Sequence, residues 1–144
     1  MKQPLWQRVA RIAGRGGALT LLCFATPLVA AHGAGPSYTT EQADRGQARY
    51  EHSCQTCHGS TLDNGDFGGA PLNGSWFKTH WGSGDVAALF QYVKSAMPPD
   101  NPGSLNDTTI ADILAFILKG NDYAAGATEL PPDPDALSKM SLKR

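Results

Sequence analysis

The sequence predicts a small all-α domain, and three observations carry that expectation. Residues recur at helical spacing in three separate stretches, two of them opened by a capping residue. No βαβ pattern surrounds the cysteines. A length of 144 residues provides for one modest core and leaves no room for two independent ones.

The N-terminal segment differs from the rest. Met1 to Arg15 carries Lys2, Arg8, Arg11 and Arg15 with no acid, and the apolar run Gly16 to Ala31 follows. That is the layout of an export signal, a basic region leading into a hydrophobic one. The run is 16 residues long and contains Pro27, shorter than the roughly 20 residues of a membrane-spanning helix. Val29-Ala30-Ala31 places small residues at the −1 and −3 positions of a cut after Ala31, so a cleaved signal over residues 1–31 is expected, with His32 as the first mature residue. An uncleaved anchor is the alternative. A lipoprotein would need a small residue before Cys23, where Leu22 stands, so Cys23 is expected to leave with the signal.

This division changes the charge. The whole chain has 12 Lys and Arg against 13 Asp and Glu, a net −1; with four bases in the signal, 8 bases face 13 acids afterwards, a net −5. No cluster of Lys and Arg marks a nucleic-acid binder. Export would bring the two remaining cysteines into an oxidising compartment.

Residues 32–38 read as a flexible lead, 39–120 as the folded domain and 121–144 as an extended C-terminal tail. The first helix starts at Thr39, because Thr39-x-x-Gln42 has the spacing of a capping box. Ala43, Gly46, Gln47 and Tyr50 share one face. Glycine inside a helix costs about 1 kcal/mol against alanine, and the usual reason for one is close approach of another helix. Residues 59–75, glycine-rich and containing Pro71, form a loop too long for a compact domain unless something fills the space beneath it.

The second helix runs from Asp85 to Ala96 with Val86, Leu89, Phe90 and Val93 in one stripe. Met97-Pro98-Pro99 ends it, since a residue before proline is pushed out of the helical region. Asn106 caps the third, Leu105 and Ile110 staple its start, and Ile110, Ile113, Leu114 and Ile117 face inward until Gly120. The tail carries Pro131, Pro132, Pro134 and one apolar contact, Leu137.

Cys54-Gln55-Thr56-Cys57-His58 is a C-x-x-C-H pentapeptide, the signature of covalent c-type haem attachment. Two thiols at this spacing can add to the two vinyl groups on one haem edge, and the following imidazole can reach the iron. A zinc site would want a second ligand pair, and His52 and His80 lack the spacing. A Cys54–Cys57 disulfide is the plain structural alternative.

These residues resemble the class I c-type cytochromes over roughly Thr40 to Leu118. The shared elements run in the family's order: Gly46-x-x-x-Tyr50, Cys54-x-x-Cys57-His58, Pro71-Leu72-Asn73-Gly74, Met97-Pro98, and Asp112-Ile-Leu-Ala-Phe116. The resemblance implies the small cytochrome c fold, three main helices and loops wrapped around one covalently attached haem. It also implies that the first and last helices cross at Gly46 with Tyr50 against Phe116. His58 would be the proximal ligand, oriented by the Pro71 carbonyl, with Leu72 on the haem edge.

For the distal ligand, Met1 belongs to the signal and Met140 to the tail, which leaves Met97. A Met ending an amphipathic helix is often a core gap-filler. Against that, the flanking prolines hold Met97 in an extended segment, and the family places its axial methionine in such a Met-Pro pair. His80 is the runner-up. Trp76, Trp81 and Tyr92 are candidates to line the pocket and equally read as ordinary core aromatics. His32, His52 and His80 read as solvated or structural.

With both axial positions filled and no catalytic acid, base or nucleophile, the expectation is a soluble, mono-haem, one-electron carrier of the periplasm rather than an enzyme. Residues 112–131 look similar to the end of cytochrome domains that accompany periplasmic dehydrogenases, including those using pyrroloquinoline quinone. The implied donor is such a dehydrogenase and the implied acceptor a terminal oxidase or another cytochrome. An acidic carrier is steered toward a basic docking face. Two alternatives stay open: a haem c protein with an open or displaceable sixth site, acting as a ligand sensor or haem enzyme subunit, and a non-haem binding domain with a disulfide.

Overall fold

Thr39 accepts the Gln42 amide on its hydroxyl and starts α1 (Thr40–Ser53) in the computed structural model, which describes residues 35–144. The expected signal over residues 1–31, Cys23 and His32 lie outside the described residues. Only half of the capping box forms. Gln42 turns inward instead, where Nε2 donates to the Leu130 carbonyl (3.0 Å) and Oε1 accepts the Leu130 N–H (2.7 Å). Buried backbone groups need partners, and one amide side chain serves both groups of Leu130.

α1 packs against α5 (Asp107–Gly120), the best-buried helix, whose start is capped by Asn106 Oδ1 on the Thr109 amide (2.9 Å). The two cross where a Cβ on Gly46 would stand 1.8 Å from the Asp112 carbonyl oxygen. Close approach is therefore the reason for this glycine, as expected. Tyr50 and Phe116 meet with ring centroids 5.1 Å apart and planes inclined by 51°. Beside the crossing, Arg45 bridges Asp112 (3.1 Å) on α5 and Glu129 (2.9 Å) in the tail.

α4 (Val86–Ala96), capped by Asp85 Oδ1 on the Ala88 amide (2.9 Å), buries the stripe Val86, Leu89, Phe90 and Val93, partly against α5. Two short helices were not expected. α2 (Gln55–His58) follows α1 after a break at Cys54, and α3 (Gly74–Trp81) starts at the end of the glycine-rich segment and runs beyond it. α3 buries only Phe77, and one apolar anchor leaves no stripe to read.

The lead and the tail also depart from expectation. Pro36 and Tyr38 are buried, the Tyr38 hydroxyl donates to the Tyr123 carbonyl (2.5 Å), and the Gly126 amide donates to the Tyr38 carbonyl (2.7 Å). The tail is a belt rather than an extended end. It forms α6 (Pro134–Leu137), which packs on α4, and buries Leu130, Leu137 and Leu142. Val86 N–H donates to Met140 O and Leu142 N–H to Gly84 O, both at 3.0 Å, around an isolated antiparallel bridge between Asp85 and Ser141. Among the described residues there is no strand, and no helix is long and apolar enough to cross a membrane.

Burial raises the phenol pKa values of Tyr38, Tyr50 and Tyr123. A phenol raised in the folded state stabilises the fold fully below the unfolded value of about 10 and loses that contribution as pH rises further. Tyr50 also donates to the Gly59 carbonyl (2.7 Å). Tyr50→Phe is expected to lose about 1 kcal/mol at pH 7, since the Gly59 carbonyl keeps only the longer bond from the Leu62 amide (3.4 Å), and to lose less than the parent between pH 7 and 10.5. Urea unfolding at the two pH values checks this; equal alkaline losses would refute it.

Candidate functional site

α1 stops at Ser53 because Cys54 leaves helical geometry (φ −130°, ψ −35°), and the single turn of α2 then starts from Cys54 as its cap. The Cys57 and His58 amides both donate to the Cys54 carbonyl (3.1 and 2.9 Å). Three-residue spacing on a helical turn puts Cys54 and Cys57 on one side. The two thiols are half-buried and not bonded to each other. Burial, and secondarily the neighbouring Cys57, push the Cys54 thiol up to about 11, so it stays protonated at neutral pH.

The glycine-rich loop closes over this turn from below. Gly65 and Gly69 both donate their amides to the Cys57 carbonyl (2.9 and 2.8 Å). A Cβ on Gly69 would stand 2.5 Å from that oxygen and 3.0 Å from His58 Nδ1, so only a residue without a side chain lets the loop lie there.

His58 Nδ1 is 2.7 Å from the Ala70 carbonyl oxygen. A carbonyl only accepts, so Nδ1 carries a proton, which leaves Nε2 as the ring atom that can bind a metal. This corrects the expected acceptor, Pro71, by one residue. The register is fixed further along: Leu72 N–H donates to Leu62 O (2.6 Å), and Asn121 Nδ2 donates to Leu72 O (2.8 Å). Pro71 holds the residue before it in extended geometry, and the Ala70 carbonyl is the one that reaches the imidazole.

Met97 is the C-cap of α4, extended at φ −125° and ψ 146°, with its amide on the Val93 carbonyl (3.0 Å). Its side chain is half-buried against the hydrophobic core, as are those of Leu72 and Trp81. Trp81 lies 5.4 Å from Tyr92 between ring centroids, and Trp76 stacks on His80 at 3.8 Å. His80 is exposed, with Nδ1 on the Trp76 carbonyl (2.8 Å) in its own helix, and His52 is exposed as well. Among the described residues no three His, Cys, Asp or Glu side chains form a metal-holding group, so the zinc alternative finds no ligand set.

Sequence reasoning missed Ala70 and Asn121. A backbone carbonyl leaves no mark on residue type, and an Asn after a helix reads as an ordinary cap.

This arrangement fits a c-type haem: two unbonded thiols on one turn, an adjacent imidazole whose Nδ1 faces a carbonyl, and a glycine cradle where a side chain would collide. A family model described as cytochrome C oxidase, cbb3-type, subunit III matches residues 41–117, more than half of the 144-residue chain. No curated protein and no solved structure gives a significant match. The match runs from the first turn of α1 through the C-x-x-C-H turn and Met97 to the far side of the Gly46 crossing, and the chain belongs to this family, a class I c-type cytochrome domain that binds a covalent c-type haem with its iron.

Proposed function

We propose that the protein is a periplasmic one-electron carrier in which His58 and Met97 would be the two protein ligands of the haem iron. The observation that carries this is the fixed tautomer of His58 beside the paired thiols, since its Nδ1–H···O bond to Ala70 leaves Nε2 as a ready ligand. Cys54 and Cys57 would hold the haem covalently, each thiol supplying one thioether bond to a vinyl group. When bound, the haem supplies an iron that gains and loses one electron.

The chain's own residues set the conditions. The Met97 thioether is a soft donor that favours the ferrous state and raises the potential relative to a second imidazole. Pro71, Leu72, Trp76 and Trp81 are the proposed walls that keep water from the porphyrin. The basic and then apolar N-terminus supports export, and the net −5 after the signal supports a partner with a basic docking face. The proposed donor is a periplasmic dehydrogenase, and the proposed acceptor a terminal oxidase or another cytochrome.

Oxidised protein is expected to show the near-infrared sulfur-to-iron absorption band, and Met97→Ala to abolish it. Retention of the band in that variant would assign the sulfur ligand elsewhere. Carbon monoxide binding by the reduced parent at neutral pH would instead favour an open or displaceable sixth site.

A further inference from the structure

We infer that Asn121 is a positioning residue for His58: its side-chain amide holds the loop whose Ala70 carbonyl receives the imidazole proton, and so helps set the reduction potential of the iron. The inference rests on the reading of His58 as an axial ligand. Asn121 is 6% exposed at the C-terminus of α5. Its Nδ2 has two hydrogens and uses both, one on Leu72 O (2.8 Å) across 49 residues of chain and one on Ile117 O (2.9 Å) a turn back in its own helix. The amide therefore joins the most buried helix to the loop.

Leu72 is held at both backbone groups, by Asn121 at its carbonyl and by Leu62 at its amide. Only Pro71 separates Leu72 from Ala70. Proline fixes its own φ and restricts the residue before it, so little slack remains between the anchored Leu72 and the carbonyl that faces His58. Asn121 is itself tethered, because its backbone carbonyl accepts the Arg144 guanidinium, which also lies over the Tyr123 ring at 4.2 Å.

A firm Nδ1–H···O=C bond lends the ring imidazolate character and makes Nε2 a stronger donor. A stronger donor favours ferric iron and lowers the potential. Removing the Asn121 amide loosens Leu72, lengthens the Ala70–His58 bond and shifts the potential upward.

The test compares holo Asn121→Ala with Leu137→Ala, which removes a buried core side chain of α6 and none of the hydrogen bonds that hold Leu72. In Asn121→Ala the midpoint potential is expected to rise, and the His58 Nδ1 proton, followed by NMR in the reduced protein, to exchange about tenfold faster, the scale of one net hydrogen bond. Leu137→Ala is expected to lower stability with both readings unchanged. If Asn121→Ala fails to fold, Asn121→Ser, which keeps one donor, is expected to show the same shifts at smaller size. Parental potential and exchange in the folded Asn121 variant would overturn the inference, and so would equal shifts in Leu137→Ala. Failure of the ligand reading looks different: His58→Ala would then keep the parent's six-coordinate spectrum.

Discussion

Gly46→Ala is expected to destabilise the holoprotein by about 3 kcal/mol, the upper end of ordinary overpacking. The added carbon would stand 1.8 Å from the Asp112 carbonyl oxygen, 2.5 Å from its carbonyl carbon and 3.2 Å from the Ile113 nitrogen. All three are backbone atoms of a buried helix, and no rotamer change moves them away. The helices must separate by roughly an ångström, which pulls Tyr50 from Phe116 and Arg45 from Asp112. Opposing this, alanine is the better helix former by about 1 kcal/mol, so the clash has to exceed the net loss by that amount. Gly35→Ala is the control, because nothing lies within 4 Å of a Cβ there. Urea unfolding that gave both variants the same stability would refute the close approach.

Gln42→Ala is expected to cost about 2–4 kcal/mol, since it leaves two backbone groups of one buried residue without partners. Leu130 is 1% exposed, and both its N–H and its carbonyl depend on the Gln42 amide. The loss is local in origin, so limited proteolysis is expected to cut the segment between Tyr123 and Asp133 in the variant first. Gln42→Glu separates the two bonds: a carboxylate still accepts the Leu130 N–H and has nothing to donate to the carbonyl, so its stability is expected between those of the parent and Gln42→Ala. Parental stability together with parental protease resistance in Gln42→Ala would refute the role assigned to this side chain.

What the sequence revealed was what depends on neighbours along the chain. Thr39 and Asn106 each cap a helix as read, because a cap needs only a hydroxyl, amide or carboxylate three residues before the amide it accepts, and Asp85, read as the first residue of its helix, is the cap there. Gly46 advertised a crossing because its helical cost demanded a reason. The C-x-x-C-H turn was legible because its chemistry sits in five consecutive residues.

What stayed hidden depends on residues far apart. Gln42 satisfied a local rule, yet its amide went to a tail residue 88 positions away. Leu130, Leu137 and Leu142 have no common period, so each found its own gap in the core without forming a stripe. The carbonyl that orients His58 was misplaced by one residue because its register is set at Leu62 and Asn121, neither of which belongs to the motif.

The stitching of the two ends also bears on the kinetics of folding. Helical proteins usually fold fast because their contacts are close in sequence. Here Tyr38 meets Tyr123 and Gln42 meets Leu130 across 85 and 88 residues. Closing so long a span costs chain entropy before any of these bonds forms. The helices are therefore expected to gain their structure before the ends join, and the rate at which the belt locks is governed by the search of one end of the chain for the other.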